Sequence, residues 1–363
     1  MAKHSVFAFE LNAGQIVAED VFSVTGQLIV PAGTRLDEDT VHKIQMYNVS
    51  MVQVSDGEFT PTPAVMMEEP HETYSQRIKK SLEFQQFKAA YLKNIEEFHG
   101  VINEIVEKNL PMNPKDLLAK TAYLLDTSSS STLHVFDMLQ NMREYDDTTY
   151  THCINVAMIN RVFGIWLGMS QSDVESLTLA GLLHDIGKLA TPDYILNKPA
   201  RLTEEEYALV KDHATAGYNY LKNQAIDPRV KEAVLFHHER GDGSGYPYGL
   251  TQDQIPEFAK ITAIADVYDA MTAKRVYREP ICPFVALRYI EQDGFVKYDP
   301  KYLMTFMRNV VSTYINMTVQ LSNGQIGDVI MINQHAPSRP LVKIGKTFID
   351  LSTRRDLDIE RIV

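Results

Sequence analysis

The chain has 363 residues, 45% apolar and 23% charged, enough for two or three domains around at least one sizeable core. A formal net charge of −12 excludes a general binder of nucleic-acid polymers, although a small phosphate ligand remains compatible with a local positive or metal-bearing pocket. Two cysteines, Cys153 and Cys282, are too few for a disulfide framework, and no window approaches roughly 18 uncharged apolar residues, so a cytoplasmic protein without a membrane span is expected.

Residues 1–56 predict a small β-rich domain. "GQIVAEDVFSVTGQLIVPAGTRL" alternates apolar and polar residues around Gly26, Pro31 and Gly33, "DEDTVHKIQMYN" predicts one short helix, and "VSMVQV" another strand. The opening "MAKHSVFAFELNAG" has its apolar run broken by Glu10 and makes a poor signal peptide. Residues 57–71, within the proline-bearing acidic run "SDGEFTPTPAVMMEEP", predict a linker. A helical connector follows over 72–124. Phe84, Phe87, Tyr91, Ile95, Phe98, Ile102 and Ile105 fall at steps of three and four, as one stripe of a long helix. The stripe suits packing on the neighbouring domain or a homodimer seam, and the sequence does not separate the two. Helices dominate 125–315, with helix starts at two capping boxes, Ser170 with Asp173 and Thr203 with Glu206. Residues 316–363 predict a C-terminal β extension: Asn323-Gly324 between apolar runs signals a hairpin, which "PLVKI" and "FIDLS" extend. The expected fold class is therefore mainly α, a helical domain with β-rich units at both ends.

The chemistry concentrates in the helical part. "AGLLHDIGKLA" (180–190) reads as an apolar helix with His184 and Asp185 in its middle and Lys188 one turn after His184. Buried imidazole, carboxylate and ammonium groups are costly unless each has a partner. Of eleven histidines, five lie between residues 152 and 238. His152 stands in "YTHCINVA", His213 late in "TEEEYALVKDHATAGYNYLK", and His237-His238 in "LFHHERGDGSGYP". Asp266 lies in "ITAIADVYDAMTA", with Asp269 one turn later. Each alone is a weak signal, and adjacent histidines on a helix point to different faces. Jointly, five histidines and two aspartates among apolar neighbours call for cations, and mixed imidazole and carboxylate donors suit Fe, Mn, Zn or Co. Seven ligands exceed one tetrahedral site, while a carboxylate can bridge two ions, which predicts a two-metal site.

The order His152, His184-Asp185 with Lys188, His213, His237-His238, "DGSGYP" and Asp266 resembles the HD-GYP subgroup of the HD phosphohydrolase superfamily, over roughly 125–315. "HHERGDGSGYP" is the specific part. The resemblance implies an all-helical hydrolase domain of a mostly bacterial family acting on the second messenger cyclic di-GMP. It makes His152, His184, Asp185, His213, His237, His238 and Asp266 metal ligands, with Asp185 the bridging carboxylate and Fe or Mn the expected ions. Asp185 and Lys188 become the catalytic residues, Lys188 meeting a substrate phosphate. Gly245, Tyr246, Pro247, Arg275 and Arg278 become substrate contacts. Some members carry a glutamate one turn before the first histidine and hold a third metal. Here that position is Thr148, with Asp146 and Asp147 nearby, which favours two metals over three.

On this reading a metal-bridged hydroxide attacks phosphorus in line and the metals take charge from the non-bridging oxygens. Lys188, at i+4 from His184, shares its helix face and adds a point charge; its plainer reading is a solvent-facing lysine near a helix end. "RGDGSGYP" reads equally as a lip over substrate or as a tight connector, and Asp269 as a group orienting a ligand or as an ion-pair partner of Lys274 or Arg275. The expected activity is hydrolysis of cyclic di-GMP to pGpG and onward to GMP. Hydrolysis of another cyclic dinucleotide, and a nucleotide-binding adaptor with protein partners in signalling, are the alternatives.

Overall fold

Strand-period burial organises the N-terminal residues. In the computed structural model, which describes residues 3–22, 28–46, 49, 51–55, 74–108, 110–126, 132–142, 148–198, 200–273 and 281–363, the chain divides into two units, 1–71 and 72–363. The first unit holds β1 (Lys3–Phe7), a 3-10 turn, β2 (Ile16–Val17), β3 (Val21–Phe22), β4 (Leu28–Val30), α1 (Glu38–Met46) and β5 (Met51–Ser55). β5 lies between β1 and β2, antiparallel to both, in a register that sets Lys3 opposite Ser55 and Phe7 opposite Met51. β3 and β4 form a separate hairpin. Val52 and Val54 alternate inward from β5 onto Val17, Val30, Leu36 and Ile44, so a one-residue slip would expose the face that makes this small core. The linker reading for 57–71 lies outside the described residues.

The second unit begins with α2 (Tyr74–Lys80), α3 (Leu82–Lys108), α4 (Pro114–Asp126) and α5 (Thr132–Met142). The predicted single helix breaks at Ser81, whose hydroxyl accepts from the Phe84 amide at 3.1 Å and so restarts the helix as a cap. The stripe from Phe84 to Ile102 is buried in the core of this unit, packed with α4, α5 and α6, and is used within the chain. α6 (Thr149–Trp166) and α7 (Gln171–Leu183) follow, buried on nearly every side. They cross closely at Gly181, where a Cβ would lie 2.6 Å from Ala157 Cα.

Here the sequence reading needs correction. α7 stops at Leu183, and residues 186–190 form a 3-10 turn rather than more α-helix. The reason is tertiary: a Cβ on Gly187 would stand 1.9 Å from the His213 carbonyl, so this segment passes directly against the backbone of the helix it meets. Then come α8 (Asp193–Leu196), α9 (Glu204–Lys211), α10 (His213–Leu221), α11 (Pro228–Phe236), α12 (Glu257–Thr272), α13 (Pro283–Lys297) and α14 (Pro300–Ser312). Thr203 and Glu206 form the full reciprocal capping box. Ser170 caps α7 only one way, accepting from the Asp173 amide at 3.2 Å, because the Asp173 carboxylate is engaged by the Ser170 hydroxyl and Arg229, each at 2.7 Å.

The tail forms an antiparallel sheet of β6 (Thr318–Leu321), β7 (Ile326–Met331), β8 (Leu341–Ile344), β9 (Thr347–Asp350) and β10 (Ile359–Ile362), ordered β10-β6-β7-β8-β9. The Asn323-Gly324 turn joins β6 to β7, with Gly324 at φ +83°. The fold class is mainly α, as expected. Among the described residues no helix is long and apolar enough to cross a membrane.

Candidate metal centre

Five elements of the helical unit deliver side chains to one buried place. His152 comes from the first turn of α6, and His184 and Asp185 from the break after α7. His213 opens α10, His237 and His238 follow α11, and Asp266 sits in mid-α12. His184, Asp185, His213 and His237 are 0–1% exposed. The potential ligand atoms fall into two groups, Asp185 with His213, His237 and His238, and His152 with His184 and Asp266. The adjacent pair His237-His238 reaches one group from the turn that ends α11, where His237 still donates its amide to the Ala233 carbonyl at 3.0 Å.

The hydrogen bonds fix which imidazole nitrogen faces inward. His184 donates Nδ1–H to the Gly181 carbonyl at 2.7 Å, His213 to Val210 at 2.6 Å and His237 to Val234 at 2.9 Å. A neutral ring that donates from Nδ1 carries a bare lone pair on Nε2. His213 Nε2 nevertheless faces His237 Nε2 at 3.3 Å, and His184 Nε2 faces His152 Nε2 at 3.3 Å. Lone pair against lone pair is repulsive unless a cation lies between or beside them. His152 has its Nδ1 on Asp269 Oδ2 at 2.8 Å and its Nε2 3.0 Å from Asp266 Oδ1.

Asp185 divides its two oxygens between the groups. Oδ2 lies 3.4 Å from His184 Nε2 and 3.7 Å from His152 Nε2; Oδ1 lies 3.3 Å from His213 Nε2 and 3.9 Å from His237 Nε2. Oδ1 is buried with no hydrogen-bond partner, a costly state for a carboxylate oxygen. The donor set therefore fits a pair of divalent cations, one per group, with Asp185 shared. Thr148 caps α6, its hydroxyl accepting from the Thr151 amide at 3.1 Å, while Asp146 and Asp147 lie outside the described residues.

The electrostatics keep these groups in ligand form. Burial pushes the Asp185 carboxyl up, but the Lys188 ammonium and the neighbouring histidines hold it well below the ordinary range. Asp266 is likewise raised by burial and brought well below the ordinary range by the His152, His238 and His184 rings around it. Burial lowers His213 and His237, and brings His238 down to about 3, so these imidazoles stay neutral, as metal ligation requires. Burial raises the Cys153 thiol well above its usual value, and Cys153 is in neither ligand group.

Lys188 does not share a continuous helix face with His184. The 3-10 turn instead folds its Nζ onto Asp185 Oδ2 at 2.5 Å, with 24% of the side chain exposed. Asp269 is 2% exposed and bonded to His152 Nδ1, as the ligand-orienting reading requires, while Lys274 and Arg275, the partners in its ion-pair reading, lie outside the described residues. The "GYP" loop joins α11 to α12. The Tyr246 ring lies over His238 with centroids 4.6 Å apart, and the Tyr246–Pro247 peptide is cis. Arg275 and Arg278 lie outside the described residues. The sequence reading missed Gly181 and Gly187, the contact points that seat the His-Asp pair; a lone glycine inside an apolar helical pattern was their signal. It also missed Glu239, a buried acid beside the histidine pair.

A family model described as "HD domain" matches residues 116–302, more than half of the chain. The chain belongs to the HD domain family. Its name-giving pair is His184-Asp185. Among curated relatives, a cyclic di-GMP phosphodiesterase of Pseudomonas aeruginosa is 36% identical over 233 residues, covering 62% of this chain and 55% of that protein. A 3'3'-cGAMP-specific phosphodiesterase of Vibrio cholerae is 36% identical over 159 residues, 43% of this chain and 30% of that protein. The chain thus spans about half the length of the first relative and less of the second. Among solved structures, a protein from Bdellovibrio bacteriovorus titled an HDG"Y"P protein aligns with a TM-score of 0.46 at 15% identity, covering 84% of this chain and 98% of that one.

Proposed function

We propose that the protein is a metal-dependent phosphodiesterase that hydrolyses cyclic di-GMP to pGpG and onward to GMP. The observation that carries this reading is the Asp185 carboxylate, split between two histidine groups with one oxygen left unpartnered. His152, His184, Asp185, His213, His237, His238 and Asp266 would hold two divalent ions, Fe or Mn. A divalent pair supplies Lewis acidity toward a phosphodiester and activates water near neutral pH.

The chain's own residues complete the chemistry. The partly exposed Lys188 ammonium sits beside Asp185 and can place a fixed positive charge on a substrate phosphate as charge builds there. Tyr246, over His238, offers a π-face to a guanine base, and Gly245 and Pro247 shape that edge. Arg275 and Arg278 belong to the same proposal as basic contacts. The two cysteines form no disulfide, which supports a reducing, cytoplasmic setting. The second reading, a mixed cyclic GMP-AMP substrate, rests on the Vibrio cholerae relative's name.

The test is anaerobic purification, metal analysis, loading with Fe(II) or Mn(II), and chromatographic identification of products. Release of pGpG from cyclic di-GMP is expected, faster than any product from 3'3'-cGAMP. The reverse preference installs the second reading, and binding without release installs a nucleotide-binding adaptor. Lys188→Met should lower kcat about a hundredfold with both ions retained; unchanged kcat removes Lys188 from the machinery.

A further inference from the structure

The turn after α11 carries an acid that the centre does not use. Glu239 is 2% exposed, and among the described residues no lysine or arginine ion pair reaches it. A buried carboxylate without a cation needs hydrogen bonds to its charge. Glu239 finds them in the loop ahead of it. Oε1 accepts from the Tyr248 amide at 2.7 Å and Oε2 from the Leu250 amide at 2.9 Å.

Both bonds land just past Tyr246-Pro247, so the carboxylate ties the loop back to the turn that bears His237 and His238. The fit is close on the other side as well. A Cβ on Gly245 would lie 2.4 Å from Glu239 Cα and 2.5 Å from the His238 carbonyl, and the Tyr246 amide donates to that carbonyl at 3.3 Å. Arg240 stiffens the turn from outside. It donates to the His237 and Glu239 carbonyls at 3.2 and 2.9 Å, with its guanidinium 5.0 Å from the centre of the Tyr298 ring.

We propose that Glu239 is a positioning residue for the substrate-binding loop: its two oxygens clamp the Tyr248 and Leu250 amides and thereby set the Tyr246 ring over His238. The proposal rests on the cyclic dinucleotide reading of the site for its kinetic consequence, but the clamp itself is testable without it. Hydrogen exchange of the full-length protein without nucleotide reads the clamp directly. In Glu239→Ala the amides of Tyr248 and Leu250 should exchange at least about tenfold faster, with metal content unchanged. In Glu239→Gln, which keeps the volume and one acceptor oxygen, one of the two amides should lose protection. This second variant carries the test if the alanine variant does not fold.

With cyclic di-GMP as substrate, KM should rise about tenfold while kcat stays within about twofold. In a Tyr246→Ala background, Glu239→Gln should add little further change in KM, because it acts through that ring. Amides that stay protected, loss of metal, a fall in kcat at constant KM, or additive effects in the double variant would each overturn the proposal. If the unaltered protein cleaves no cyclic dinucleotide, the function reading fails while amide exchange still decides the clamp.

Discussion

The histidines of the centre are oriented by two different means. His184, His213 and His237 each stand just beyond a helix end and rest Nδ1 on a carbonyl of that helix's last turn, Gly181 of α7, Val210 of α9 and Val234 of α11. Each is among the last four carbonyls of its helix, where acceptor capacity is left over, so the backbone offers the acceptor whatever side chains surround it. His152 lies inside the first turn of α6, where the helix's own carbonyls accept amides from within it. It must take its acceptor from another element, and Asp269 of α12 supplies it at 2.8 Å. Helix ends thus orient these imidazoles through the backbone alone, whereas an imidazole within a helix depends on one further side chain that substitution can remove.

The largest expected effect tests whether the two groups are one centre. Asp185→Ala should remove bound metal and abolish turnover while leaving the helical circular-dichroism signal; retained turnover would sink the shared-carboxylate arrangement. Asp269→Asn should separate the two means of orientation. Metal affinity at the His152 group should fall about 10- to 100-fold, with the His213 group unaffected, so a titration followed by calorimetry becomes two-step. Equal weakening of both groups would erase the distinction drawn above.

Gly187→Ala attacks a backbone-held ligand instead. The added methyl meets the His213 carbonyl, and a loss of about 3 kcal/mol in denaturant-measured stability is expected. The smallest effect is acid sensitivity of the metal-free protein. Folded His213 and His237 sit below their usual range and His238 near 3, so the unfolded chain takes up protons first as pH falls below about 6.5. Stability should therefore decline from about pH 6.5 downward. Asp185 and Asp266, also lowered in the fold, add to the loss at more acid pH. A thermal midpoint that rises between pH 7.5 and 5.5 would contradict these burial effects.

Much of the site was legible because its residues are chemically out of place. Histidines and aspartates on apolar helices stand out, and the seven residues singled out from the chain are the seven that meet. The Asn323-Gly324 hairpin was legible because its turn chemistry is local. The end of α7 was not, since helix-forming residues lie on both sides of His184 and the break is imposed by the close approach of Gly187 to His213. β10 was missed for a similar reason: "IERI" carries little strand signal, and its pairing with β6 spans the whole tail. Glu239 was hidden among the other charges of "HHERGDG", where nothing in sequence separates a buried acid from a solvated one.

The ends of α7 and α11 have one further consequence. Each aligned helix backbone leaves about half a negative charge at its carbonyl end, and both ends abut the cluster, at the cap residues His184 and His237. The first turns of α6 and α10 offset them with positive ends at His152 and His213, so the negative field that draws cations comes from Asp185, Asp266 and Asp269. If the cluster holds the proposed ions, an anionic dinucleotide should bind only after them, and a chelator should block nucleotide binding as well as cleavage.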